Sequence, residues 1–131
     1  MKPMLTALAA LLPLAAGPTS LADLRWEARP ILVFAEAGDP RLAEQLSRFE
    51  ADRPELTDRD NVLIVDTEPG SGLRERFRPG AFTVILVGKD GGEKFRRDGL
   101  VDPDELHALI DTMPMRRREM GAMRTQGGED R

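Results

Sequence analysis

The chain has 131 residues, 32% of them charged and 40% hydrophobic, with no Cys, so length and composition describe one ordinary globular domain. The missing thiol excludes disulfide exchange, cysteine nucleophiles, Cys-ligated zinc and iron–sulfur clusters. A formal net charge of −4 is the wrong sign for unspecific binding to nucleic acid.

Residues 1–22 hold no acid and run from Met1-Lys2 through an apolar stretch, Met4 to Ala16, into Gly17-Pro18-Thr19-Ser20. That is the layout of a secretory signal peptide, and Ser20 and Ala22 are the small residues expected before a cleavage site. Cleavage after Ala22 leaves a folded domain over residues 23–120. The apolar run contains Pro13 and is too short to cross about 30 Å of hydrocarbon as a helix. Without a Cys there is no site for a lipoprotein anchor either. An exported chain, periplasmic or secreted and with no stable membrane anchor, is the expectation.

Ile31-Leu32-Val33-Phe34, behind Arg29-Pro30, is a continuous apolar run of the kind a strand buried on both faces shows. Asp39-Pro40 then supplies a capping carboxylate and a proline where the missing N–H costs nothing. Leu42, Leu46 and Phe49 recur at helical spacing until Arg53-Pro54 ends the pattern. Polar residues 57–61 lead to a second buried-strand run, Val62-Leu63-Ile64-Val65, closed by Asp66. Two such strands joined through a helix make a parallel, right-handed βαβ unit.

After the loop Glu68-Pro69-Gly70-Ser71-Gly72, Leu73 to Phe77 forms a short helix that Arg78-Pro79-Gly80 breaks. Phe82 to Val87 is the next strand. Gly88-Lys89-Asp90-Gly91-Gly92 turns the chain, with Asp-Gly suited to positive φ, and Glu93 to Arg97 returns as a polar antiparallel edge. Asp102-Pro103-Asp104-Glu105 combines a cap, a first-position proline and early acids into a helix start. Leu106, Leu109, Ile110 and Met113 share one face of that helix, and Met113-Pro114 interrupts it. Met115 to Met120 adds a turn or two before Gly121, and residues 121–131, polar and aperiodic, are expected as a disordered tail.

This order, a βαβ unit followed by a β-hairpin and a C-terminal helix on a four-stranded mixed sheet, resembles the thioredoxin-like α/β fold, with the strands in the order two, one, three, four. In detail the chain is similar to a family of thioredoxin-like domains of unknown function, found in small exported bacterial proteins and in sushi-repeat-containing extracellular proteins. The resemblance rests on Arg25-Trp26 with Arg29-Pro30-Ile31-Leu32-Val33-Phe34-Ala35, on Leu86-Val87-Gly88-Lys89-Asp90-Gly91-Gly92, and on Ile110-Asp111 with Met113-Pro114-Met115-Arg116. It implies a fold and no settled activity. Redox thioredoxins carry paired cysteines between the first strand and helix, where this chain has Glu36-Ala37-Gly38-Asp39-Pro40. They also place a cis proline just before the third strand, where Ala81-Phe82-Thr83 stands here and Pro79 lies three residues earlier.

Three chemistries remain open. Glu36 and Asp39, at the start of the first long helix, are candidate catalytic carboxylates or the rim of a small-anion site, although Asp39 as a helix cap and Glu36 as loop surface account for both. His107 is the sole histidine, and no nucleophile motif accompanies it. Met115, Arg116, Arg117 and Arg118 combine adaptable apolar contacts with guanidinium groups and suit docking of a partner, an envelope protein being expected; a solvated helix end is the plainer reading. Trp26 serves to cover a sheet edge or to anchor a partner. No ligand spacing selects a metal and no cofactor motif is present.

Overall fold

The computed structural model describes residues 20–129, so the expected signal peptide lies outside the described residues except at its last positions. The elements are α1 (Leu21–Leu24), β1 (Arg29–Ala35), α2 (Pro40–Ala51), α3 (Arg53–Asp58), β2 (Asn61–Asp66), α4 (Gly72–Phe77), β3 (Phe82–Val87), β4 (Glu93–Arg97), α5 (Pro103–Ile110) and α6 (Pro114–Glu129). The sheet has the order β2-β1-β3-β4. β1 pairs parallel with β2, and antiparallel with β3, which pairs antiparallel with β4. The expected thioredoxin-like layout is the observed one.

β1 and β3 are buried along their whole length, as their unbroken apolar runs require of central strands. Alternate side chains go to opposite faces. Ile31, Val33, Val84 and Leu86 pack with Phe49 of α2, Leu56 of α3 and Leu106 and Ile110 of α5. Leu32, Phe34, Ile85 and Val87 pack on the other face with Phe77, and with the partly covered Leu21, Ile64 and Leu73. β2, an equally apolar run, is buried only at Leu63 and Asp66, because no strand among the described residues pairs along its outer edge.

Gln45 lies wholly inside, at 0% exposure, on the face of α2 that carries Phe49. Its Nε2 donates to the Val101 carbonyl at 2.9 Å and its Oε1 accepts from the Val101 N–H at 2.8 Å. One amide thus satisfies both backbone groups of a buried loop residue that no strand or helix serves, and it ties α2 to the start of α5.

Two local features differ from the sequence expectation, and a third lies at the expected cleavage point. Arg53-Pro54 does not simply end α2 but opens α3, since a proline in a first turn removes only a donor that has no partner there. Residues 121–131 are not a free tail throughout, because α6 continues to Glu129. Gly121 inside a helix costs about 1 kcal/mol relative to alanine, which the flanking Met120, Ala122 and Met123 tolerate with no proline to stop them. Finally, Ser20 and Asp23 form a reciprocal capping box on α1, and Leu21 packs on the second core cluster. The expected cleavage point after Ala22 therefore falls inside a short packed helix.

Replacing Gln45 with Met keeps the bulk and strands both Val101 backbone groups in an apolar interior. We expect a loss of about 2–4 kcal/mol in urea unfolding; a variant as stable as the parent would show that the clamp contributes nothing.

Candidate functional site

The sequence candidates fall at opposite ends of the sheet. β1 pairs Ala35 with Phe82 and Ile31 with Leu86, so the loop of Glu36 and Asp39 leaves one end while Trp26, Arg29 and Lys89 gather at the other. No single site contains both sets.

At the first end, the Asp39 carboxylate caps α2 by accepting the Arg41 N–H at 2.9 Å, and it also takes the Arg41 guanidinium at 3.1 and 2.8 Å. Those guanidinium hydrogen bonds, with the backbone one behind them, hold its carboxyl below the usual carboxylate range. Arg41 in turn lies 4.9 Å over the Phe82 ring. Glu36 is exposed; its backbone carbonyl accepts the Asp39 N–H at 3.0 Å, and its side chain makes no hydrogen bond with the Asp39 carboxylate among the described residues. Arg74, 5.6 Å over Phe34, donates to the carbonyls of Ala35 and Asp66 at 2.8 and 3.0 Å. The helix start that attracts anions is thus filled by the chain's own carboxylate, already neutralised, and arginines close the strand ends around it.

His107 is buried, and its Nε2 meets the Asp52 carboxylate. Asp52 stands between α2 and α3 and makes no side-chain cap on α3, because its carboxylate is turned to the histidine. His107 Nδ1 is buried without a partner among the described residues. No serine, threonine or lysine is among the described partners of this pair, so it joins α2 to α5 and offers no nucleophile. A spacing of 55 residues carries no sequence signal for such a contact.

The second end is built on buried guanidinium groups. Arg29, 1% exposed, donates to the Arg59 carbonyl at 3.0 Å and to both carboxylate oxygens of Glu119 at 3.2 Å. Lys89 reaches Asp60 at 2.8 Å and Glu119 at 2.9 Å. Arg116, 3% exposed, donates to the Asp58 carboxylate at 2.7 Å, to the Asp58 carbonyl at 3.0 Å and to Asp111 at 3.1 Å. Arg59 shares Asp111 and also bonds Glu55. This corrects the reading of Arg116 as a docking cation: it is an internal strut fixing α6 to α3 and to the end of α5. Arg117 and Arg118 are exposed, and Met115 is half-buried.

Burial alone would raise the carboxyls of Glu119 and Asp111, but the cations around them prevail, Arg29 and Lys89 for Glu119 and Arg59 and Arg116 for Asp111, and both are held below the usual range. For Lys89 and Arg116, burial works toward lowering, and their carboxylate partners outweigh it.

Beside this network lies a groove of about 410 Å³, lined chiefly by Trp26, Lys89, Leu109, Met113, Pro114 and Met115. Trp26 is 58% exposed and holds φ at +69°, an uncommon backbone for a bulky residue. The β3–β4 turn keeps it there: the Trp26 N–H donates to the Lys89 carbonyl at 2.6 Å, and Arg25 Nε donates to the Asp90 carbonyl at 3.0 Å. The turn that its glycines alone would explain therefore also positions the tryptophan. Among the described residues, no group of three or more His, Asp or Glu side chains is placed to hold a metal ion.

Residues 66–119 match the family model described as a domain of unknown function, DUF4174, a stretch that includes the α5–α6 wall of the groove and Glu119 but neither Trp26 nor Arg29. None of the curated proteins matches the chain significantly. A solved structure of thioredoxin-2, a component of malaria parasite protein secretion machinery, is similar in fold, with a TM-score of 0.55 and 20% identity over 66% of this chain and 84% of that one. The chain thus has a thioredoxin-like fold and no cysteine, and part of it matches a domain model of unknown function.

The folded carboxyls of Glu119 and Asp111 titrate below their unfolded values, so the stability they add is present above pH about 5 and is lost as pH falls through their folded pKa values. Glu119→Gln leaves Arg29 buried and unpaired. It should lower stability at pH 7 by about 2–3 kcal/mol, less than for a wholly buried pair because Glu119 is partly exposed, and it should flatten the decline of stability below pH about 4. An acid limb as steep as the parent's in urea unfolding would contradict the assignment.

Proposed function

We propose that the chain is an exported thioredoxin-like module that acts without thiol chemistry by binding another protein of the cell envelope, through the groove between Trp26 and the α5–α6 junction. The observation that carries this reading is the groove itself. A large aromatic ring stands mostly in solvent, held by a fixed backbone, against two methionines and a leucine. Rigid aromatic anchors beside adaptable thioethers are what protein interfaces concentrate. The alternative expectation, a cysteine-independent enzyme or anion binder at Glu36 and Asp39, finds no support in the geometry, since Asp39 is committed to Arg41 and Glu36 is exposed apart from it. Export rests on the leader-like residues 1–22, which suit a periplasmic or secreted protein.

A photo-crosslinking residue placed at Met115 should yield one discrete adduct in intact cells, lost when Trp26 and Met113 are replaced by Ala. The chain in that adduct should come from the envelope or medium and be shortened at its N-terminus. An adduct indifferent to Trp26→Ala and Met113→Ala, or no adduct, would contradict the binding site; an unshortened chain confined to the cytoplasm would contradict export.

A further inference from the structure

We infer, resting on the groove reading above, that the segment it takes is an acidic one: an apolar residue seated against Trp26, Met113 and Met115, with side-chain carboxylates beside it meeting Arg25 and Arg118. The chain as a whole carries −4, so a cationic rim is not a reflection of its average surface. It arises because the carboxylates around the groove are consumed internally. Glu119 is held by Arg29 and Lys89, Asp60 by Lys89 and Asp90 by Lys94. Two guanidinium groups are left over.

Arg25, next to Trp26, is exposed, and its described hydrogen bond is to the Asp90 carbonyl, so it keeps its charge uncompensated. Arg118 is exposed and forms no ion pair among the described residues. At about 100° per residue, Arg118 lies about 60° round α6 from Met115 and one turn above Pro114, on the groove side. Arg117 lies about 200° from Met115, on the far side. Against them, Glu27, next to Trp26 in the chain, is an exposed carboxylate without an ion pair among the described residues. A guanidinium offers a carboxylate two parallel donors in a fixed fork, and an exposed arginine at the rim of an apolar groove selects the charge flanking the anchor. A basic segment would instead meet Arg25 and Arg118 as like charges.

The test uses the full chain and calorimetric titration with three blocked peptides: a Leu-Phe pair flanked by aspartates, the same pair flanked by lysines, and the aspartate peptide with serines for Leu-Phe. The first should bind, the other two at least about tenfold more weakly. Its affinity should fall about tenfold with Arg118→Glu and change less than about twofold with Arg117→Glu, and quenching or shifting of the fluorescence of Trp26, the sole tryptophan, should report the site. Equal binding of the acidic and basic peptides, both lost with Trp26→Ala, would overturn the acidic partner and leave the groove standing. Acidic-peptide binding that ignores Trp26→Ala would overturn both. Failure of all three peptides, with or without binding to vesicles of anionic phospholipid, would overturn the acidic protein segment as the occupant, while the crosslink at Met115 would still judge the groove.

Discussion

The buried guanidinium of Arg29 is the constraint from which the rest of the second sheet end follows. A charge at the first residue of a central strand, 1% exposed, loses several kcal/mol of hydration, which only an opposite charge and acceptors of good geometry can offset. The Arg59 carbonyl and both oxygens of Glu119 meet it. Glu119 comes from α6, so the helix must pass over the start of β1, and in doing so it brings its carboxylate to Lys89 as well. Arg116, one turn earlier, is then carried inward to Asp58 and Asp111. With α6 fixed at two levels, Met113, Pro114 and Met115 have nowhere to go but the space beside Trp26. A domain without disulfides thus secures its last helix by ion pairs reaching to the end of α3, the end of α5, β1 and the β3–β4 turn.

The two sheet ends are built on contrary principles. Where redox thioredoxins carry paired cysteines, this chain has an aspartate that caps its helix and neutralises an arginine lying on Phe82, so the helix start is occupied by the chain's own carboxylate. At the other end the buried guanidinium groups of Arg29 and Arg116 are paired with carboxylates, yet that pairing leaves an apolar surface and a strained tryptophan uncovered. Strain retained by neighbouring hydrogen bonds, next to exposed apolar area, is where binding tends to concentrate. The same fold can therefore lose its thiol chemistry at one end while keeping a surface of quite different character at the other.

Much of the architecture was legible because it is written in local pattern. The unbroken apolar runs of β1 and β3, the Asp-Pro starts of α2 and α5 and the Asp-Gly turn each act over a few residues, and each lies where periodicity and capping put it. What escaped is long-range or depends on partners. Arg116 looks like one of three equivalent arginines until Asp58 and Asp111 are beside it. Gln45 looks like a polar residue on a helix face until Val101 supplies two backbone groups 56 residues away. β2 lies at the edge, as the expected strand order has it, but its apolar run reads as buried on both faces, whereas only Leu63 and Asp66 are buried. The groove combines both cases: Met115 and Trp26 were visible as candidates, but only the passage of α6 over Arg29 brings them together.

The most direct measurement is amide hydrogen exchange of the parent and of Arg29→Met, followed along α6 and along the central strands. If buried ion pairs rather than apolar packing seat the helix, residues 115–120 should lose protection in the variant by about tenfold or more, while β1 and β3 keep theirs. Unchanged protection in α6, or a uniform fall across helix and sheet alike, would contradict it.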